Sequence, residues 1–117
     1  MLPQQSTIHV TTDDDWAQSQ PDGCYVPPGF AREGFIHCCY PTQLARVLRD
    51  FFADQNRVLL LVLNPALITA EIRHENPIDG LTHPHIYGAL ERDAVVRQLT
   101  ITRGADGFDI PPDLQPL

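Results

Sequence analysis

The apolar positions change period several times along the chain, and each change marks an element. Residues 6–12, "STIHVTT", are β-branched and alternating, so they predict a first strand. Thr12 then suits a helix N-cap, with Asp15 three positions on. Asp13, Asp14 and Asp15 fall in the first turn, where the helix dipole favours anions. This short helix is predicted to stop before "QPDG", with Trp16 and Ala17 turned to the core. Residues 24–34, "CYVPPGFAREG", carry Pro27, Pro28 and two glycines and read as a loop. "FIHCC" at 35–39 predicts a strand, and Pro41 opens a helix, where its missing N–H costs nothing. Leu44, Val47, Leu48, Phe51 and Phe52 keep helical spacing along that helix.

The continuous run "VLLLVL" at 58–63 predicts a buried strand, stopped by "NPALI". Residues 70–75, "AEIRHE", alternate: Ala70, Ile72 and His74 face one way, and Glu71, Arg73 and Glu75 the other. "NPIDGLTHP" reads as a loop, with Pro84 at a loop-to-strand junction, and "HIYGAL" (85–90) and "AVVRQLTITR" (94–103) as closing strands. The class expected is α+β, one domain over residues 1–103 with two helices in its N-terminal half. Residues 104–117, rich in proline and acidic residues, are expected to be loosely held.

Composition narrows the function. At 117 residues and 13.1 kDa the chain has the size of one domain. Its formal charge of −7 and pI near 4.9 repel phosphate backbones, which argues against nucleic-acid or anionic-membrane partners. All 8 basic residues are arginines. Without lysine there is no Schiff-base chemistry and no Walker-type phosphate loop, whereas arginine suits bidentate contacts to carboxylate or phosphate. Three cysteines, Cys38 and Cys39 being adjacent, do not form a disulfide framework. The N-terminal residues lack a basic and apolar leader pattern, and the longest aliphatic run is far short of a membrane span. A reducing, cytoplasmic setting is expected.

Histidines carry the candidate chemistry. His9, His37, His74 and His85 all fall in predicted strands, and buried imidazoles need their nitrogens satisfied. Alternation pairs His9 with Thr11, His37 with Phe35 and Cys39, and His85 with Tyr87. Such faces can line one cleft, or each ring can be spent on backbone contacts. A third reading is a metal-dependent enzyme built on His37, Glu75, His83 and His85, although no H-x-x-x-H or C-x-x-C spacing supports it. No metal is expected. Nothing in the sequence points to a depressed thiol pKa that would make Cys39 a nucleophile.

"IHVTT…W", "GFIHC", "LLLVLNPALITAEIRHE" and "HPHIYGAL" resemble the small bacterial family called domain of unknown function 952, over about residues 7–98. The resemblance implies a fold similar to ADP-ribosyltransferases, a split β-sandwich that holds NAD between two small sheets. It is closest to the branch with the RNA 2′-phosphotransferases. On that resemblance His9 and His37 match the two histidines serving the NAD site. Strand alternation puts Glu75 forward as the nearest carboxylate to the developing cation, the alternative being a solvent-side ion pair with Arg73. Thr11, Phe35, Cys39, Arg73, His85 and Tyr87 would contact NAD, the suspected substrate, whose ADP-ribose would pass to an acceptor the sequence does not name. A catalytically silent nucleotide- or protein-binding module on the same fold is the alternative. The chain departs from the family pattern at Cys39 and Tyr40, where serine and threonine are usual, and at Ala89, where proline is. Glu91 lies past its strand and does not match the late catalytic glutamate of the toxin-type enzymes.

Overall fold

The computed structural model describes residues 6–18, 23–75 and 82–114. Among them nine strands and three α-helices alternate in the order β1 (Thr7–Thr11), α1 (Asp13–Ala17), β2 (Cys24–Tyr25), α2 (Phe30–Glu33), β3 (Ile36–His37), α3 (Leu44–Phe51), β4 (Arg57–Leu63), β5 (Glu71–Glu75), β6 (His83–Tyr87), β7 (Leu90–Glu91), β8 (Val95–Gly104) and β9 (Gly107–Phe108). Every strand pair is antiparallel. The class is α+β. A four-stranded sheet runs β1-β4-β8-β9, a three-stranded sheet β3-β6-β5, and β2-β7 form a short ribbon.

The unbroken apolar run of β4 follows from its place. It pairs with β1 on one side and β8 on the other, and both its faces are covered. On one face Ile8, Val10, Val58, Leu60 and Val62 pack with Leu44 and Leu48 of α3. On the other, Leu59, Leu61 and Leu63 pack with Trp16, Tyr25, Ile36, Ile86 and Leu90. The two sheets therefore share the second core. Residues 36–39 join them: Cys38 N–H donates to the Pro84 carbonyl, while Cys39 and Ile8 exchange backbone bonds of 2.8 and 2.9 Å. One short segment is thus an edge of both sheets.

Local chemistry sets the helix ends. Thr12 Oγ1 accepts from Asp15 N–H at 3.2 Å, as its N-cap position demands. Pro41 opens a 3-10 turn (Pro41–Gln43) that leads into α3. Arg103 donates to the carbonyls of Phe52 and Gln55 at 2.8 and 3.0 Å, placing a cation where the α3 dipole is negative.

Three segments differ from expectation. The loop predicted at 24–34 contains β2 and α2, each too short to impose a period on the sequence. β6 begins at His83, so the histidine–proline–histidine triplet is strand throughout, Pro84 lying within it. The tail expected to be loose supplies β9 and Leu114, which is 0% exposed in the α3 core. Burial of one leucine side chain, worth about 1.5–3 kcal/mol, holds down a segment that composition alone marks as free. The expected loop at residues 76–81 lies outside the described residues. No helix among the described residues is long and apolar enough to cross a membrane.

Candidate functional site

Strand register assembles the site. His37 pairs with His85, and His85 with Arg73, across the three-stranded sheet. Ile36, Ile86 and Ile72 form the neighbouring row and turn inward to the shared core. By alternation His37, His85 and Arg73 point outward, and Phe35, Tyr87 and Glu75 join them.

On this outer face the rings touch. Phe35 stacks on His85 with centroids 4.2 Å apart and planes 17° from parallel. It also meets His37 edge-on at 4.7 Å and Tyr87 at 5.2 Å. Glu75 Oε1 accepts from the Tyr87 hydroxyl at 2.5 Å and from His85 Nδ1 at 2.9 Å. These two bonds, Tyr87's first, hold the Glu75 carboxyl below its ordinary pKa, so it is anionic at neutral pH. The same bond pushes the Tyr87 phenol up. His85 is 2% exposed, and its burial lowers its pKa. With Nδ1–H committed to Glu75, the neutral ring keeps Nε2 as its acceptor nitrogen. Arg73 lies over the Tyr87 ring at 4.4 Å and is paired with Glu71 at 3.0 Å. His37 is exposed and bonded through Nε2 to Glu33 at 2.5 Å.

His9, Thr11 and Cys39 lie elsewhere. His9 is 4% exposed, and both ring nitrogens are used: Nδ1 donates to the His37 carbonyl at 2.6 Å, and Nε2 accepts from the Tyr25 hydroxyl at 2.9 Å. The Tyr25 oxygen accepts in turn from Thr11 Oγ1 at 3.0 Å. The donor directions run one way, from Thr11 through Tyr25 and His9 to the backbone of His37. Burial brings the His9 pKa down to about 4 and pushes that of Tyr25 up to about 12. His9 therefore reaches the site only by fixing the backbone that carries His37. Cys39 is buried beside α3, and burial raises its thiol pKa to about 12, the opposite of an activated nucleophile.

Tyr25 and Glu33 were absent from the sequence-based set. Tyr25 sits in the segment read as loop, and Glu33 reaches His37 only because Gly34, at φ 84°, turns the chain back after α2. Among the described residues no three His, Cys, Asp or Glu side chains are grouped to hold a metal ion.

Residues 10–98 match the model of a family described as protein of unknown function, DUF952. The chain belongs to this DUF952 family. The fold is similar to the crystal structure of protein CC0527 from Caulobacter crescentus, with a TM-score of 0.82 and 20% identity over 94% of this chain and 98% of that one. It is also similar to the solution structure of CC0527, with a TM-score of 0.73 and 21% identity over 88% and 90% of the two chains. No curated protein matches this DUF952 chain.

Proposed function

We propose that the outer face of the three-stranded sheet binds a nucleotide, NAD or a part of it, and supports transfer of ADP-ribose to a small or protein acceptor. The observation that carries this reading is the double bond-acceptance by Glu75 Oε1 from Tyr87 and His85. It fixes a carboxylate, kept anionic, beside a platform of four rings. Breaking the nicotinamide–ribose bond develops an oxocarbenium-like cation, as glycoside cleavage does, and a preorganised anion stabilises it. Phe35 and Tyr87 offer ring faces for the base or the nicotinamide. Arg73 offers a guanidinium suited to phosphate once it leaves Glu71. The resemblance to ADP-ribosyltransferases points to the same ligand, with the histidine it places first, His9, buried away from this face.

The test uses the whole chain with NAD and ADP-ribose. Binding at about 100 times the dissociation constant adds about 2.7 kcal/mol of stability, a readily measured rise in melting temperature. Chromatography should show nicotinamide released from NAD. Glu75→Gln keeps the side-chain shape but loses the charge, and should slow release by about a hundredfold or more while leaving the thermal shift largely in place. A wild-type chain that neither gains stability with NAD nor releases nicotinamide sinks the reading. A thermal shift without release favours a silent nucleotide-binding module.

A further inference from the structure

The outer face holds a second hydrogen-bonded pair besides Glu75 and its donors. Glu33 and His37 stand four residues apart but share no helix, because α2 ends at Gly34 and the chain turns back into β3. The turn lays Glu33 Oε2 2.5 Å from His37 Nε2. Gly29 leaves room for the carboxylate: a Cβ built there would lie 2.8 Å from Glu33 Oε1, so a larger residue would displace it.

The pair holds the imidazole in one chemical state. A carboxylate only accepts, so the proton of the neutral ring lies on His37 Nε2, and Nδ1 keeps its lone pair. No described residue hydrogen-bonds to that nitrogen, and the side chain is 54% exposed. The backbone beneath is fixed as well, since the His37 carbonyl accepts from His9 Nδ1. Ring contacts put His37 on the platform, with its centroid 5.2 Å from that of His85 and edge-on to it. β3 and β5 flank β6, so His37 and Glu75 stand on opposite sides of His85. As an exposed ion pair, Glu33–His37 contributes at most about 1 kcal/mol to stability. As chemistry, an oriented imidazole with an open nitrogen, across from a fixed carboxylate, is a base facing an anion.

Resting on the ADP-ribosyl transfer put forward above, we propose that His37 is its general base, that Glu33 is the positioning residue, and that the acceptor is a neutral hydroxyl. As the bond from ribose C1 to nicotinamide breaks, its electron pair stays with the ring nitrogen, and nicotinamide departs neutral. The acceptor oxygen forms the new bond to C1, and its proton passes to His37 Nδ1 and then to water. A carboxylate acceptor brings no proton to remove. It would also meet the carboxylates of Glu33 and Glu75 on a chain of formal charge −7.

The full chain is incubated with NAD and either methanol or acetate, and the products are separated by chromatography and identified by mass spectrometry. The wild-type chain should form methyl ADP-ribose from methanol, and about tenfold less ester from acetate at equal concentration. His37→Ala, at an exposed position, should fold like the wild type and lose about a hundredfold or more of methyl transfer. Added imidazole should restore much of that loss and do nothing for Glu75→Gln. Glu33→Gln, whose amide both donates and accepts, should lower transfer by about tenfold. It should also turn the single Nε2–H form of His37, read by nitrogen-15 NMR, into a mixture of tautomers. Wild-type transfer rates in His37→Ala overturn the proposal and leave the role of Glu75 standing. So do equal capture of acetate and methanol, a mixed His37 tautomer in the wild-type chain, or a His37→Ala loss that imidazole fails to relieve. A wild-type chain that releases no nicotinamide overturns the proposal and the transfer reading together.

Discussion

His9 illustrates how a buried histidine turns acid into an unfolding agent. Folded, it is neutral with a pKa of about 4, because burial disfavours its charged form. Unfolded, it returns to the ordinary histidine value of 6.5. The unfolded chain therefore binds more protons between those values, and stability must rise with pH across that window. The contribution is fully present above about pH 6.5 and is lost as pH falls through about 4, to a total of roughly 3 kcal/mol. His85, also lowered by burial, acts in the same direction. Denaturant unfolding of the wild-type chain from pH 7 to pH 4 should show this fall, and His9→Gln should flatten most of it. An unchanged pH slope in His9→Gln would show that burial does not hold His9 neutral in the folded chain. From sequence, four strand histidines with polar neighbours were visible. That His9 is spent on a buried bond was not, because that depends on Tyr25, a residue with no periodic signal around it.

At the level of elements, legibility followed length. β1, α3, β4, β5 and β8 were readable because each repeats its pattern often enough to be distinguished from loop, and the short α1 from its Thr12 cap and acidic first turn. β2 and β7 span two residues each and pair with each other, and β9 spans two and pairs with β8, so none repeats a pattern; β3, also two residues, was read within "FIHCC" because Pro41 marks where it ends. The alternation of 70–75 was readable too, and it placed Arg73 and Glu75 together on the face where they now stand. Cys39 left its expected face because the 36–39 segment crosses from one sheet to the other between Cys38 and Cys39. Close strand packing supplies a test of the β5–β6 pair. A Cβ built on Gly88 would lie 2.7 Å from the Ala70 Cβ, nearer than real side chains approach. Gly88→Ala should therefore destabilise the chain by about 1–3 kcal/mol. Restoring the space with Ala70→Gly should make the double variant more stable than the sum of the singles by about 0.5–3 kcal/mol. Strict additivity in a denaturation series would mean that the two strands do not meet as described.

Across the whole molecule, the two sheets differ in how firmly they are held. β4 is central in its sheet, paired on both sides and covered on both faces, by α3 on one and by the shared core on the other. β5 pairs with β6 alone, and its outward residues Glu71 and Arg73 are exposed. Opening β5 exposes little apolar surface beyond Ile72, so it needs less free energy than opening β4. Native-state hydrogen exchange should find the Val58–Leu63 amides leaving only through global unfolding, while β5 amides exchange through a cheaper, local opening. The candidate site uses this strand through Arg73 and Glu75 on its outer side. A ligand that binds only the closed strand must slow its exchange by the factor 1 + [L]/Kd, about a hundredfold at 100 times the dissociation constant. NAD should therefore protect β5 selectively and leave the β4 amides reporting global stability. If β5 already exchanges as slowly as β4 without ligand, the small sheet is as rigid as the large one, and local opening cannot be what the site controls.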